Sequence, residues 1–325
     1  MTRRRLRAMR SFDEVMAGVQ RAAIAGHVRP DGDCVGSCMG LAAYLRANYQ
    51  VKVDVFLDPL PDSLEFLVEG KEINPKTDET VRYDIFFAVD CADKKRIAAD
   101  SRLIEHAAKV INIDHHISNP LYGDINVVEA ESSSACEVLY GLMDAEKINR
   151  ETAICLYTGM AHDTGIFQYS CVSPLTMSRA GHLLSFGFDF SQLIMSSFYE
   201  KSLSHQKLLG IALMKSRILP DGLGIWSYVT LADMEAVASS SMEADGIVEE
   251  LRNTKGIDYS VFLYELEPGT YKVSFRSKGK VNVSQVAVAF GGGGHVRASG
   301  CTFVGKTPDE IIAQITEQIA GQIHD

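Results

Sequence analysis

The first part of the chain alternates short apolar runs with stretches of helical periodicity. Residues 51–57, 83–90 and 109–116 predict strands, because each run is short, rich in β-branched or aromatic residues and bounded by polar residues. Residues 36–49 have helical spacing, as do two segments within 134–163. Strands that alternate with helices in this way predict an α/β domain with a doubly wound parallel sheet.

The pattern changes near residue 200. Residues 191–216 predict one long connecting helix with polar interruptions. Short alternating strands then follow at 224–231, 257–266 and 270–277, with helices near 231–253 and 308–322. We therefore predict a larger domain over 1–195, a helical linker over 196–216 and a smaller α/β domain over 217–325.

Composition restricts the class of protein. A chain of 325 residues with 46% hydrophobic and 23% charged residues is typical of a soluble protein with two domains. No apolar run is long enough to span a membrane. The N-terminus has five arginines without the apolar segment of a secretory signal, which predicts a solvated tail, the exposed face of a helix or a nucleic-acid arm. Seven scattered cysteines without a Cys-x-x-Cys motif favour a reducing cytoplasm.

Charge restricts the partners. The formal net charge is -10, so the chain is a poor general binder of long duplex nucleic acid, which attracts proteins largely through Lys and Arg. Residues 271–306 nevertheless hold six basic residues and no acidic one. This local basic field predicts a small anionic substrate.

Acidic and imidazole side chains follow the predicted strands. They are His27, Asp31 and Asp33 in "HVRPDGD", Asp90 and Asp114–His116 directly after apolar strands, and Asp163 at the end of an apolar helix. A lone Asp in such a place is more often a helix cap or turn residue. Because ligands of open α/β sheets bind beyond the carboxyl ends of the strands, the combination predicts one shared metal site.

The donor types suggest the occupant. Four aspartates supply four negative charges, which two divalent cations would balance, while neutral histidines coordinate without adding charge. Mixed carboxylate and imidazole ligands suit Mn²⁺, with iron, Co²⁺ or Zn²⁺ possible and Mg²⁺ less suited. Paired metal ions are a common device for in-line displacement at phosphorus.

Two further features of the sequence favour a structural role over a functional one. Gly300–Thr307 matches the P-loop pattern, but its middle favours a strand and residues 307–310 favour a helix-capping box. Histidines outside the metal motifs are expected at the surface or in hydrogen bonds; these are His106, His182, His205 and His324. His162 is given no role.

The motifs "HVRPDGD", "AVDCAD", "NIDHH" and "AHDTGIF" occur in the order found in the DHH phosphoesterase superfamily, which the chain resembles over almost its whole length. The segment "SFRSKGKVNVSQVAVAFGGGGHVRASG" is similar to the DHH-associated substrate-binding domain. Within the superfamily, a chain of this length most resembles the oligoribonuclease and pAp-phosphatase group.

The resemblance implies roles for individual residues. One metal ion would be bound by His27, Asp31 and Asp90, and a second by Asp33, Asp90, His115 and Asp163. His116 would contact the scissile phosphate or support a ligand, and Asp114 would orient a ligand histidine. Substrate phosphate and nucleotide would be held by Arg276, Ser277, Gly292, Gly293, Gly294, His295 and Arg297. The glycine run itself is expected to be an anion-cradling loop.

The function implied is hydrolysis of oligoribonucleotides of about two to five nucleotides to nucleoside monophosphates, and of 3′-phosphoadenosine 5′-phosphate (pAp) to AMP. Two divalent ions would serve as cofactors, with Mn²⁺ expected and Mg²⁺ or Co²⁺ as alternatives, and a homodimer is possible. An alternative is a phosphodiesterase for cyclic di-AMP or linear pApA and pGpG. A nucleotide sensor without catalysis is the alternative outside enzymes.

Overall fold

The computed structural model describes residue 9 and residues 11–76, 80–244 and 246–323. The chain divides into two compact units, Met1–Glu200 and Lys201–Asp325. The arginines at positions 3, 4, 5, 7 and 10, and His324, lie outside the described residues, so their expected roles stay predictions. Within the described ranges, no helix has both the length and the apolar character needed to cross a bilayer.

The first unit is built on five parallel strands. They are β1 (Arg21–Ala25), β2 (Lys52–Phe56), β3 (Ile85–Val89), β4 (Val110–Asp114) and β5 (Ile125–Val128). Helices of this unit are α1 (Asp13–Met16), α2 (Gly32–Asn48), α3 (Ser101–Glu105), α4 (Ala135–Leu142), α5 (Arg150–Asp163), α6 (Pro174–Leu184) and α7 (Phe190–Ile194). The sheet order is β2-β1-β3-β4-β5 and every neighbouring pair is parallel, which confirms the predicted α/β class.

Apolar cores lie on both faces of this sheet. Ile24 and Phe87 pack with helices on one face, whereas Ala23 and Phe86 pack in a second cluster on the other. All five residues of β3 are buried, as expected for a strand covered on both sides. Because β1 connects to β2 on one side and lies beside β3 on the other, the strand order reverses between β1 and β3. This reversal is the topological switch point at which doubly wound sheets bind ligands.

The second unit contains a mixed six-stranded sheet. Its strands are β6 (Arg217–Ile218), β7 (Gly224–Val229), β8 (Tyr259–Glu267), β9 (Thr270–Ser277), β10 (Gly293–His295) and β11 (Ala298–Val304). Its helices are α8 (Leu203–Lys215), α9 (Leu231–Ala236), α10 (Ile247–Arg252), α11 (Val283–Ala289) and α12 (Pro308–Ile323). The strand order is β10-β11-β9-β8-β7-β6, with cores on both faces, and only β7 and β8 pair in parallel.

Two local predictions were wrong. The single helix expected over 191–216 is divided into α7, a π-helical turn over Met195–Tyr199, and α8. The break arises because Ser202 caps α8, its Oγ accepting from the amide N of His205 at 3.0 Å. The glycine run is only partly a loop, since Gly293–His295 form β10, paired with β11 in a hairpin.

The segment that matches the P-loop pattern is part of a strand and is followed by a helix. Most of Gly300–Thr307 lies in β11, and Pro308 begins α12. Thr307 and Glu310 form the predicted capping contacts, since Glu310 Oε2 accepts from the Thr307 amide at 2.8 Å and the Glu310 amide donates to Thr307 Oγ1 at 3.4 Å.

Candidate metal centre

Three strand ends of the first unit bring the predicted ligands to one edge of the sheet. His27 follows β1, Asp90 follows β3, and His115 follows β4. His27 Nε2 lies 3.7 Å from Asp90 Oδ2, and His115 Nε2 lies 3.7 Å from Asp90 Oδ1. Asp90 therefore stands between the two imidazoles, at the switch point of the sheet.

The stretch "HVRPDGD" connects β1 to α2 and places its aspartates by capping. Asp31 Oδ1 accepts from the amides of Asp33 and Cys34, both at 3.1 Å. This leaves Asp31 Oδ2 facing the imidazole of His27, 3.8 Å from Nε2. Gly32 permits the close approach of His162, because a Cβ there would lie 2.2 Å from the imidazole ring.

Asp33 is held by the start of another helix. Its carboxylate accepts from the backbone N of Ala135 at 2.6 Å and of Cys136 at 3.0 Å, at the N-terminus of α4. A helix N-terminus favours negative charge, so α4 fixes a carboxylate that is almost completely buried. A Cβ on Gly159 would lie 2.9 Å from Asp33 Oδ1, so this glycine of α5 makes room for the carboxylate.

Asp90 is the most constrained member of the site. Its φ is 50°, an uncommon value for a residue with a Cβ, and its side chain is buried. Among the described residues, Asp90 Oδ1 has no hydrogen-bond donor. A buried carboxylate oxygen without a partner is costly unless another positive group binds it. This orphaned oxygen is the observation that best fits a bound cation.

A second group of donors surrounds His115. Its Nε2 lies 3.4 Å from Asp163 Oδ2 and 3.9 Å from Asp33 Oδ2, in addition to its contact with Asp90. Asp163 is the last residue of α5. Asp33, His115 and Asp163 thus offer one ligand atom each within a small volume, as do Asp90, His115 and His116.

Asp114 forms hydrogen bonds with both histidines that follow it in the chain. It is fully buried at the end of β4, accepts from His116 Nδ1 at 2.7 Å and from the His115 amide at 2.8 Å, and also accepts from Asn119. The hydrogen bond that His116 donates to Asp114 raises the pKa of His116. Asn119 was missed in the sequence, where an Asn three residues after "DHH" is an ordinary turn signal.

The carboxylates repel one another in the absence of cations. Burial and the neighbouring charge of Asp31 raise the pKa of Asp33 to about 6. Burial and the charge of Asp33 raise the pKa of Asp163 to about 7, and burial together with Asp33 also raises the pKa of Asp90. Carboxylates that are held together despite this cost are typical of a site for positive ions. Their oxygen and imidazole nitrogen donors suit a divalent transition metal.

Cysteine is a further donor that the sequence analysis did not count as a ligand. Cys34 offers Sγ in a buried group with His27 and Asp90. Burial and the adjacent thiol of Cys38 raise the pKa of Cys34. A neutral thiol is a weak ligand, so Cys34 forms part of the wall of the site.

His106 is exposed, as expected, and three of the other histidines have local partners. His182 Nδ1 lies 2.8 Å from Tyr140 Oη, and His205 Nδ1 donates to the Glu243 carbonyl at 2.7 Å. His162 packs beside Gly32, and its Nε2 lies 3.0 Å from Ser197 Oγ. His162 therefore packs against the segment that carries Asp31 and Asp33, a role that its position beside Asp163 in the chain does not indicate.

The residues predicted to bind substrate lie in the second unit. Arg276 is on the half-exposed face of β9, where its Nε donates to Glu249 and one Nη donates to the Phe275 carbonyl at 2.9 Å. Ser277 is buried on the opposite face, and its Oγ accepts from the Gly279 amide at 2.9 Å. The structure thus does not place Arg276 and Ser277 on one face of β9.

The glycine-rich hairpin of β10 and β11 lies next to β9 in the sheet. Ala298 of β11 is the register partner of Arg276, and Gly293 of β10 pairs with Gly300. His295 and Arg297 are exposed at the end of the hairpin. A Cβ on Gly294 would lie 2.5 Å from Ser299 Cα, so the close approach of the two strands requires glycine there.

Comparisons with known proteins agree with this architecture. A family model described as the DHH family, N-terminal domain, matches residues 21–160, and the DHHA1 domain matches residues 235–321. The bifunctional oligoribonuclease and PAP phosphatase NrnA of Thermus thermophilus is 30% identical over 318 residues, which cover 97% of this chain and 94% of that protein. NrnA of Bacillus subtilis is 32% identical over 296 residues, which cover 89% and 91% of the two chains.

A solved structure is similar over the same extent. The crystal structure of an exopolyphosphatase-related protein from Bacteroides fragilis matches with a TM-score of 0.86 and 27% identity. The match covers 96% of this chain and 95% of that one.

Proposed function

Because the chain belongs to the DHH family, we propose that it is a metal-dependent phosphoesterase that hydrolyses short oligoribonucleotides to nucleoside monophosphates and pAp to AMP. The names of the two NrnA relatives support this substrate range. The observation that carries the proposal is the convergence of the ligand side chains around Asp90, whose buried Oδ1 has no donor among the described residues.

We propose two metal positions that share Asp90. His27, Asp31 and Asp90 would hold one ion, since His27 Nε2 lies within 3.8 Å of a carboxylate oxygen of each aspartate. The second ion would be held by Asp33, Asp90, His115 and Asp163. We favour Mn²⁺, because the set combines hard carboxylate oxygens with imidazole nitrogens. Bound ions would offset the aspartate charges, activate a water and stabilise the negative charge that develops on the phosphate.

The protein's own contacts prepare each ligand for this role. His27 Nδ1 donates to the Val28 carbonyl at 3.0 Å, which fixes the tautomer and leaves Nε2 with its lone pair directed toward the aspartates. Asp114 holds Nδ1 of His116, so the proton on this histidine is stabilised and Nε2 can donate a hydrogen bond to a phosphate oxygen. In the second unit, Arg276, His295 and Arg297 would hold the substrate's terminal phosphate and nucleotide.

A substrate panel tests the proposed function. Purified protein with Mn²⁺ is given pAp, a labelled trinucleotide, linear pApA and cyclic di-AMP, each with and without a chelator, and the products are separated by chromatography. The proposal expects AMP and phosphate from pAp, mononucleotides from the trinucleotide, and no turnover with chelator. Turnover of cyclic di-AMP alone would favour the alternative phosphodiesterase, and nucleotide binding without any turnover would favour the sensor. Cytoplasmic location and a homodimer stay predictions.

A further inference from the structure

An arginine that belongs to none of the proposed ligand sets lies at the edge of the metal centre. Arg96 follows Asp90 by six residues, in the 3₁₀ turn Lys94–Arg96, and its side chain is exposed. Its guanidinium Nη2 lies 3.5 Å from Nδ1 of His27. The turn thus returns the chain from one proposed ligand, Asp90, to another, His27.

The backbone around Arg96 is fixed to the strand end that carries His27. The amide of Val28 donates to the Arg96 carbonyl at 2.6 Å, and the amide of Ala98 donates to the Gly26 carbonyl at 2.9 Å. An antiparallel bridge pairs His27 with Ile97. These contacts place the Cα of Arg96 beside the site, while its side chain is exposed to solvent.

Arg96 has no carboxylate partner among the described residues. Other arginines do, in the pairs Arg21–Asp54, Arg102–Asp100, Arg179–Glu137, Arg217–Asp309 and Arg276–Glu249. An arginine fixed at its backbone and unpaired at its head is well suited to bind an anion that arrives from solvent.

Charge at the centre indicates what the anion is. Four aspartates and two divalent ions would sum to zero, and the proton of His116 is balanced by the charge of Asp114. Further positive charge for an incoming phosphate must therefore come from groups at the edge of the site. An internal phosphodiester carries one negative charge, whereas a phosphomonoester carries nearly two at neutral pH, since its second pKa is about 6. A guanidinium can donate two parallel hydrogen bonds to such a dianion.

We propose that Arg96 binds an oxygen of the substrate phosphate at the metal centre and favours phosphomonoester dianions, such as the 3′-phosphate of pAp, over internal phosphodiesters. This inference rests on the proposed function and adds a residue that contacts the substrate. Arg96 leaves the metal ligands unchanged and supplies the positive charge that a dianion requires.

The test compares Arg96→Gln and Arg96→Lys with Lys95→Ala, which removes the same charge from the exposed neighbouring residue. For each protein, calorimetry measures the affinity of the metal-free form for Mn²⁺ and of the Mn²⁺-loaded form for inorganic phosphate. Kinetics of the loaded form then measure kcat/KM on pAp and on a trinucleotide. A charge-assisted hydrogen bond contributes about 1.5–3 kcal/mol, which corresponds to roughly ten- to a hundred-fold in affinity.

Arg96→Gln is expected to weaken phosphate binding by at least about tenfold and to lower kcat/KM about a hundred-fold on pAp but about tenfold on the trinucleotide. Arg96→Lys should restore part of the loss, and Lys95→Ala should resemble wild type. Mn²⁺ affinity should stay within about twofold in all variants, because the ligands are intact.

Three results would overturn the proposal: unchanged phosphate affinity in Arg96→Gln, an equal loss in Lys95→Ala, or a parallel loss of Mn²⁺ affinity, which would mean that Arg96 only supports His27. Equal losses on both substrates would overturn the preference for the dianion. If wild type hydrolyses neither substrate, the proposed function fails, yet phosphate binding still tests Arg96.

Discussion

The carboxyl edge of the first sheet and the half-exposed face of β9 in the second unit both hold residues assigned to substrate chemistry, but their side chains differ in state. At the first, Asp33 and Asp90 are buried, and Asp90 has an oxygen with no donor in the described residues. At the second, Arg276 is already paired with Glu249. The carboxylates of the first region have no cation of the protein to balance their charge, whereas Arg276 and Glu249 of the second neutralise each other, although Glu249 Oε2 also has no hydrogen-bond partner among the described residues.

This difference decides how much each region reveals about its ligand. Buried carboxylates that raise one another's pKa can be accounted for by cations and by little else. An exposed guanidinium with a carboxylate partner is also found in proteins that bind no phosphate. The metal centre is therefore the stronger part of the account, and the predictions below test the contrast between the two regions.

Removing the shared ligand should have the largest effect. Asp90→Asn replaces a carboxylate proposed to contact both ions with a neutral amide, so turnover of pAp and of a trinucleotide should fall by at least about a thousand-fold, more than the ten- to hundred-fold typical of supporting residues. Circular dichroism should remain that of wild type. Asp189→Asn, at the exposed cap of α7, is the control and should retain activity. Full activity of Asp90→Asn would refute the site.

Removing a supporting residue should have a smaller effect. Asp114→Asn keeps the size of the side chain but loses the charge that stabilises the proton of His116. We expect kcat to fall about ten- to a hundred-fold. The pH–rate profile should also shift, since His116 would lose its proton at lower pH. A purely structural role would lower activity equally at every pH, and that outcome would count against the proposed proton position.

The stability of the metal-free protein should depend on pH in the direction set by the buried carboxylates. Asp33 and Asp163 have pKa values of about 6 and 7 in the fold and near 3.8 when unfolded, so the folded state keeps protons that the unfolded state has lost. Metal-free stability should therefore decrease as pH rises from about 4 to 7.

Mn²⁺ should reverse this trend, because metal ions bind the deprotonated carboxylates. Denaturant unfolding at pH 5 and pH 7, with chelator and with Mn²⁺, measures the stability of the metal-free and of the Mn²⁺-bound protein. A metal-free protein that is more stable at pH 7 than at pH 5 would contradict the crowding of charges at this edge.

The second region should respond most weakly. Arg276→Ala is expected to raise KM about tenfold on pAp with kcat nearly unchanged. This is the lower end of the effect of one charge-assisted hydrogen bond, because Arg276 already pairs with Glu249 and substrate must compete with that pair. Glu249→Gln is the companion variant, since it releases Arg276 from its partner. An unchanged KM for Arg276→Ala on every phosphorylated substrate would remove Arg276 from the proposed binding surface.

Much of the first unit could be predicted from the chain. The strands at 51–57, 83–90 and 109–116 correspond to β2, β3 and β4, because apolar runs bounded by polar residues give a clear signal. The order of the strands could not be predicted, since it depends on pairing between distant segments. That order places β1 beside β3 and so brings His27 to Asp90.

The contacts that hold the ligands in place could not be predicted from the sequence either. Nothing in the residues around Ala135 indicates that their amides bind Asp33, a hundred residues earlier in the chain. The resemblance implied that Ser277 and Arg276 both bind substrate, but alternation along β9 buries Ser277 and leaves Arg276 half-exposed. Motifs identify side chains by type, whereas packing decides which of them share a surface.

Anomalous diffraction from Mn²⁺-soaked crystals, measured on both sides of the manganese absorption edge, tests the central claim most directly. The account predicts two peaks about 3.5–4 Å apart, one beside His27 and one beside His115, with the Asp90 carboxylate between them. Data of adequate signal with no peak among these side chains would contradict it.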